Sequence, residues 1–330
     1  MIRTLLKYIY LGAGLLLLIW VIGKIDVSEV VERITEIGVD GFFKVLGIYF
    51  LAFLVDCLAW QVTFESVPLN VHWLYRIFAV RIAGEAFNSL LPFANMGGEP
   101  LKALVFKDRY GISLDEGGVS LVLAKTLSMV SLIIFLLIGL VLMVKTPLLS
   151  NHVKFVATIG LIALVVGTGL FFGIQRFELT TRFSAWLAKL FYGSRVKTVL
   201  QRIKELDLRF KRFYSIHKIR AMIGIFFALC NWVLGVVEVY IVMELLGYPV
   251  DWETAWIIES VAQMVRAAVF FIPAGLGAQE GAFLFLCEAM TGSLSLGFAV
   301  AVVRRFRELT WIILGVAFAV FFSQTNIKRI

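Results

Sequence analysis

Between two apolar runs the chain reads Leu91-Pro92-Phe93-Ala94-Asn95-Met96-Gly97-Gly98-Glu99-Pro100. Proline lacks a backbone donor and glycine weakens a helix interior, so this stretch predicts a break between two helices. At membrane depth, irregular backbone persists only where protein buries it or where it lines a wet cavity. If the chain crosses a membrane, the stretch is therefore a candidate for the centre of an embedded site.

The composition is that of a protein that crosses a membrane several times. Of the 330 residues, 60% are hydrophobic and 16% are charged, and the mean hydropathy is +0.91. Soluble domains average about 45–50% apolar and about 25% charged residues, so water-soluble enzymes are excluded. The three cysteines and three histidines are scattered along the chain, which predicts neither a metal site nor a bound cofactor.

A second stretch repeats the pattern of the first in the other half of the chain. It reads Ile272-Pro273-Ala274-Gly275-Leu276-Gly277-Ala278-Gln279-Glu280-Gly281. In both stretches a proline precedes a glutamate by seven residues, with glycines between them. Two such breaks, one per half, are typical of transport sites built from discontinuous helices.

The apolar runs predict an all-α polytopic membrane protein with about six full transmembrane helices plus two re-entrant helical hairpins in an inverted repeat. Each hairpin arm is too short to cross the bilayer, since a crossing takes about 20 residues. The repeat is supported by a shared spacing, because Gly118 precedes Lys125 by seven residues as Gly297 precedes Arg304. We expect the first hairpin to open to the cytoplasm and the second to the outside.

We treat the chain as a single transmembrane domain, 1–330, with five parts. They are a first span with an outside loop (1–39), repeat 1 (40–175), a basic amphipathic cytoplasmic linker (176–218), repeat 2 (219–322) and a cytoplasmic tail (323–330).

Positive charge is concentrated in the linker. Residues 176–220 hold twelve basic and three acidic residues, a net charge of +9, whereas the whole chain carries +8. Basic loops face the cytoplasm and anionic headgroups, so we expect cytoplasmic termini and no nucleic-acid site. The apolar spacing predicts two interfacial helices that meet near Gly193. Whether they gather anionic lipid or only dock on the bilayer is left open.

Many ionisable side chains fall inside the predicted spans, where each costs about 2.5–3.5 kcal/mol. They predict either internal ion pairs, such as Arg81 with Glu85 or Arg307 with Glu308, or a polar cavity. Lys102 is expected to snorkel from a span end.

In a cavity, cations and free helix N-termini would bind a phosphate. Glu99 and Glu280 could titrate, bind a cation or cap the broken helices. The candidate cavity residues are Arg81, Glu85, Asn88, Pro92, Asn95, Gly97, Gly98, Glu99, Lys125, Glu259, Arg266, Pro273, Gly275, Gly277, Gln279, Glu280, Arg304 and Arg305.

Two segments carry a resemblance to a known family. Gly84-Glu85-Ala86-Phe87-Asn88-Ser89-Leu90-Leu91-Pro92 and Gly97-Gly98-Glu99-Pro100-Leu101-Lys102-Ala103, together with the second break, resemble the flippase-like family. This is the transmembrane region of lysylphosphatidylglycerol synthases. The resemblance covers nearly the whole chain and implies an inner-membrane fold with two re-entrant hairpins and lipid translocation.

The chain departs from this family in two respects. Lys125 lacks the acidic neighbours that many relatives place beside the cation, which leaves the substrate preference open. No aminoacyl-transferase domain precedes the end at Ile330. We therefore expect a stand-alone member that makes no aminoacyl lipid by itself.

These observations favour a lipid carrier of the inner (cytoplasmic) membrane that is not an enzyme. It would move an anionic phospholipid or related amphiphile between leaflets through a polar cavity between the hairpins. Its partners would be membrane lipids, with a homo-oligomer or a lipid-synthesis enzyme left open. One alternative is a polytopic transferase acting on a polyprenyl-phosphate-linked donor, which would require an acidic cluster at a membrane face. Another is a non-transporting accessory subunit of a lipid-modifying complex.

Overall fold

The structure, a computed structural model, describes residues 27–90, 98–176, 208–269 and 277–327. All regular secondary structure in these ranges is helical, and none of the described residues lies in a strand. The helices are α1 (Val27–Gln61), α2 (Val71–Leu90), α3 (Glu99–Tyr110), α4 (Leu114–Lys145), α5 (Asn151–Arg176), α6 (Lys218–Leu245), α7 (Trp252–Ala268), α8 (Ala278–Thr291) and α9 (Leu294–Ile327). A further helical segment covers 208–216.

Four of the described helices, α1, α4, α5 and α6, are long and apolar enough to cross a bilayer. The predicted all-α polytopic membrane protein is therefore confirmed. The predicted first span at 1–23 and most of the basic linker, with the meeting point near Gly193, lie outside the described residues.

The segment that was predicted as an outside loop is largely helical. Helix α1 begins at Val27 and runs through a kink at Gly38, whose φ is 62°. Arg33 pairs with Glu29 at 2.9 Å and donates to the Leu246 carbonyl oxygen at 3.1 Å. These contacts hold the described part of this segment beside the end of α6.

Helix α6 lies at the centre of the packing and contacts α1, α4 and α7. Val236, Val239 and Met243 are fully buried in one core cluster with Phe135 of α4 and Ile258 of α7. Burying such side chains stabilises the fold by about 1.5–3 kcal/mol each in water, and in lipid the same contacts contribute through close packing. This core fixes the positions of α4, α6 and α7 relative to one another.

Helices α2 and α3 form an antiparallel hairpin, called here the first hairpin. Their outer ends meet where the rings of Trp73 and Tyr110 lie 5.9 Å apart. Their inner ends, the first tip, meet where the Gly98 N–H donates to the Asn88 side chain at 2.7 Å. Helices α7 and α8 also pack together, and form the second hairpin, whose tip lies where α7 ends and α8 begins.

Helix α9 contacts the two hairpins at opposite ends. Near its start, a Cβ on Gly297 would lie 2.6 Å from a backbone carbonyl oxygen of α8. Near its end, a Cβ on Gly315 would overlap the Ile82 carbonyl oxygen of α2, and Arg109 of α3 donates to the Phe322 carbonyl oxygen. The first hairpin therefore approaches from the C-terminal end of α9 and the second from its N-terminal end. Both tips point towards the middle of α9.

Candidate functional site

A buried lysine holds the first tip together. Lys102 is 1% exposed, and its Nζ lies 2.8 Å from Glu85 Oε1 and 3.0 Å from Glu99 Oε1. The prediction that Lys102 snorkels is wrong, because the fold of α3 onto α2 places its side chain across Gly84. Glu99 and Lys102 lie three residues apart and share one face of α3.

Asn88 closes the same tip with its amide group. It is 3% exposed, its nitrogen donates to Glu85 and to Glu99 at 3.2 Å, and its oxygen accepts the Gly98 N–H. Gly98 is the N-cap of α3 and has no side chain with which to cap the helix. A Cβ on Gly98 would overlap the Gly84 carbonyl oxygen, so glycine is required for this close approach.

Lys125 of α4 lies at the edge of the first tip. Its side chain is 52% exposed, and its Nζ is 3.9 Å from Glu99 Oε1. At this separation the pair attract each other but form no direct hydrogen bond.

The second tip is organised by Glu280 in the first turn of α8. Its Oε2 accepts the Gly277 N–H at 2.9 Å, so this carboxylate caps the helix. Its Oε1 accepts from Arg305 at 2.5 Å, and Arg305 also donates to Glu308 at 2.6 Å. Of the three roles that the sequence left open for Glu280, the structure gives it the cap, together with an ion pair.

Behind the second tip lies a fully buried ion-pair network. Arg304 donates to both oxygens of Glu259, at 2.5 and 3.1 Å, and Gln263 donates to Glu259 at 2.6 Å. Arg307 pairs with Glu238. The predicted partner of Arg307, Glu308, is more distant at 3.7 Å, because Arg307 points into the bundle towards α6.

Two residues that sequence reasoning left out of the candidate set belong to this centre. Glu238 of α6 is 2% exposed and lies 3.6 Å from Arg304 Nε as well as beside Arg307. Tyr49 of α1 lies under the Arg307 guanidinium, with 3.9 Å between the guanidinium carbon and the ring centre. An acid inside an apolar helix was a visible signal for Glu238, whereas nothing in the sequence singled out Tyr49.

Arg81 has a different partner from the one the helical spacing suggested. It forms an ion pair with Asp56 of α1 rather than with Glu85. Its guanidinium also lies 5.6 Å from the Phe53 ring centre. Arg81 therefore ties the first hairpin to α1, while Glu85, one turn along, faces Lys102.

Tyr49 also connects the two tips. Tyr49 lies within electrostatic range of Glu85 at the first tip and of Arg266, Arg307 and Glu308 on the side of the second. The two predicted breaks thus lead to one charged region in the middle of the bundle. A small cavity there is lined by Gln279, Glu280, Phe283, Ala301, Arg304, Arg305 and Glu308.

With this geometry in place, comparison with known proteins is informative. Residues 6–317 match the family described as the lysylphosphatidylglycerol synthase transmembrane region. The chain belongs to this family. The matched range includes both hairpins, α9 as far as Ala317, and every candidate residue.

The chain is also similar to a UPF0104 membrane protein of Methanothermobacter thermautotrophicus, strain Delta H. The two are 23% identical over 327 residues, which cover 95% of this chain and 94% of the relative. No solved structure matches the chain.

The remaining candidates of this family member fall into two groups. Pro92, Asn95, Gly97, Pro273 and Gly275 lie outside the described residues. Gln279 and Arg266 are described: Gln279 is buried in the cavity wall, and Arg266 is exposed in the last turn of α7. Within the described ranges there is no group of three or more His, Cys, Asp or Glu residues that could hold a metal ion.

Proposed function

We propose that this protein moves a phospholipid, or a related amphiphile with an anionic headgroup, between the leaflets of the membrane. The headgroup would pass the charged region between the hairpin tips while the acyl chains stay in the bilayer. The observation that carries the proposal is the approach of two hairpins to α9 from opposite ends, with their tips converging on one charged centre.

This arrangement suits alternating access in physical terms. Broken helices that meet near the midplane from opposite sides let one central site face either leaflet after a small rigid-body movement. A headgroup cannot cross hydrocarbon unaided, because an unpaired charge there costs several kcal/mol. The carboxylates and cations of the tips would replace part of the hydration of the headgroup during the crossing.

The remaining parts of the proposal follow the charge distribution. We place the protein in the inner (cytoplasmic) membrane with both termini in the cytoplasm, because the basic linker favours that side. The first hairpin would open to the cytoplasm and the second to the outside. We also propose that the protein acts as a carrier and not as an enzyme, with membrane lipids as its partners.

The proposal predicts lipid movement by the purified protein. Proteoliposomes carrying a headgroup-labelled phosphatidylglycerol are treated with a membrane-impermeant quencher, and the slow phase of quenching measures transfer between leaflets. We expect faster transfer with protein than in protein-free liposomes. The Asn88→Ala variant should lose most of this activity, because it removes the amide that joins Glu85, Glu99 and Gly98.

Two further measurements make this assay decisive. Size-exclusion chromatography of the Asn88→Ala variant establishes that it remains monodisperse, and a liposome with an unrelated polytopic protein controls for leakage. Transfer by the wild-type protein at the rate of protein-free liposomes would contradict the proposed function.

A further inference from the structure

Two cations at the hairpin tips differ from all the others in how they are paired. Arg81, Lys102, Arg304, Arg305 and Arg307 each have a carboxylate oxygen within 3.0 Å. Lys125 has its nearest carboxylate at 3.9 Å. Among the residues that the structure describes, none forms an ion pair or hydrogen bond with the Arg266 side chain, although Arg266 lies within electrostatic range of Glu308.

The same two cations are the accessible ones at their tips. The Lys125 side chain is 52% exposed and Arg266 is also exposed, whereas Lys102 is 1% and Arg304 5% exposed. Lys125 lies beside Glu99 at the first tip, and Arg266 lies in the last turn of α7 at the second. Each tip therefore has one open cation, that is, an exposed cation with no carboxylate oxygen within hydrogen-bond distance.

The charge balance of each tip explains why these cations are open. At the first tip two carboxylates, Glu85 and Glu99, hold one cation, Lys102, and Lys125 balances the remaining charge from a distance. At the second tip Glu280 and Glu308 pair with Arg305, and Arg266 balances the remaining negative charge. The balancing cations keep their N–H donors free for a ligand.

Phosphate is the anion whose chemistry fits these donors. Ammonium and guanidinium groups donate charge-assisted hydrogen bonds to phosphate oxygens, and those bonds are roughly twice as strong as neutral ones. Because each tip is close to neutral without a ligand, it would hold a phosphate weakly. Weak binding suits a site that must both accept and release its substrate.

We propose that Lys125 and Arg266 are the two residues that bind the phosphate of the transported headgroup, one at each tip. This inference rests on the proposed function and assigns its substrate contacts. The more deeply buried pairs, Arg81–Asp56, Arg304–Glu259 and Arg307–Glu238, hold the bundle together and do not bind the headgroup.

The test is lipid binding, which can be measured without transport. Purified protein in nanodiscs or mild detergent is titrated with phosphatidylglycerol and with diacylglycerol, which lacks the phosphate, and bound lipid is counted by native mass spectrometry. We expect Lys125→Met and Arg266→Met each to weaken phosphatidylglycerol binding at its own tip by about tenfold or more, the effect of losing one charge-assisted hydrogen bond, and the double variant to weaken it at both tips. Diacylglycerol binding should not change.

Matched variants separate a contact with phosphate from a general effect of charge. Lys125→Arg should retain binding, and Lys145→Met, which removes an exposed cation at the other end of α4, should leave it unchanged. In a second arm of the experiment, the same protein is titrated with inorganic phosphate up to millimolar concentration. Because free phosphate carries the same charged oxygens, it should compete with the lipid. Binding of phosphatidylglycerol at least about tenfold tighter than that of inorganic phosphate identifies the lipid headgroup as the ligand, whereas equal affinities identify free phosphate.

The outcomes distinguish this inference from the proposed function. Unchanged phosphatidylglycerol binding in both Met variants would overturn the inference, even if the wild-type protein moves lipid in liposomes. Equal loss in Lys145→Met would also overturn it, because the effect would then follow from net charge. Binding of inorganic phosphate as tightly as phosphatidylglycerol would overturn the headgroup assignment. Binding that depends on Lys125 and Arg266 without any transfer between leaflets would support the site and contradict the carrier.

Discussion

The Glu259→Gln variant is expected to be less stable than the wild-type protein by about 3–5 kcal/mol, because it leaves a buried arginine without its main counter-ion. Glu259 is 1% exposed and accepts from Arg304 through both oxygens. Glutamine keeps the shape of the side chain but removes the charge and one acceptor. The apparent melting temperature in detergent, followed by size-exclusion chromatography after heating, should fall by about 5–10 °C.

A matched exposed pair provides the control for this variant. Glu29 and Arg33 of α1 form an i,i+4 pair with side chains 38% and 27% exposed, and such pairs contribute about 0–1 kcal/mol. Glu29→Gln should therefore leave the melting temperature nearly unchanged. Adding Arg304→Met to Glu259→Gln should recover part of the loss, since it removes the uncompensated charge. Equal melting temperatures for Glu259→Gln and Glu29→Gln would show that the buried network does not stabilise the fold.

The Gly98→Ala variant is expected to separate the arms of the first hairpin and to reduce lipid transfer at least about tenfold. Its Cβ would overlap the Gly84 carbonyl oxygen, and backbone cannot move aside as a flexible side chain can. Overpacking of this kind costs about 1–3 kcal/mol, and the Asn88 bond to the Gly98 N–H would lengthen with it. Transfer between leaflets and chromatographic homogeneity are the measurements.

Gly118 of α4 offers the matched control for Gly98. A Cβ at Gly118 meets nothing within 4 Å, and alanine is the better helix former by about 1 kcal/mol. Gly118→Ala should therefore transfer lipid at the wild-type rate and be at least as stable. If Gly98→Ala behaves like Gly118→Ala, the close approach of α2 and α3 at the first tip is not needed for function.

Local chemistry predicted the elements of the fold that depend on neighbouring residues. The prolines and glycines indicated that the helices are interrupted, and α3 and α8 indeed begin at Glu99 and Ala278. Residues four apart share a helical face, and the side chains of Glu259 and Gln263 are accordingly hydrogen-bonded. These features need only the geometry of one helix.

Contacts between distant segments could not be predicted in the same way. Arg81 shares a helical face with Glu85, yet it forms its ion pair with Asp56 of another helix. Lys102 is near a helix end, where snorkelling is the usual outcome, but α2 covers it. In both cases the sequence identifies the charge, and only the packing of a second helix identifies its partner.

The central claim is that two hairpins enter the membrane from opposite faces. It is tested most directly by finding on which side of the membrane the outer end of each hairpin lies. Cys57, Cys230 and Cys287 are replaced by alanine, and single cysteines are introduced as Asp108→Cys in the first hairpin and Glu253→Cys in the second. Both positions are exposed at the outer ends of the hairpins. A membrane-impermeant maleimide is then applied to intact and to permeabilised cells. We expect labelling of Glu253→Cys in intact cells and of Asp108→Cys only after permeabilisation, whereas labelling of both from the same side would contradict the account.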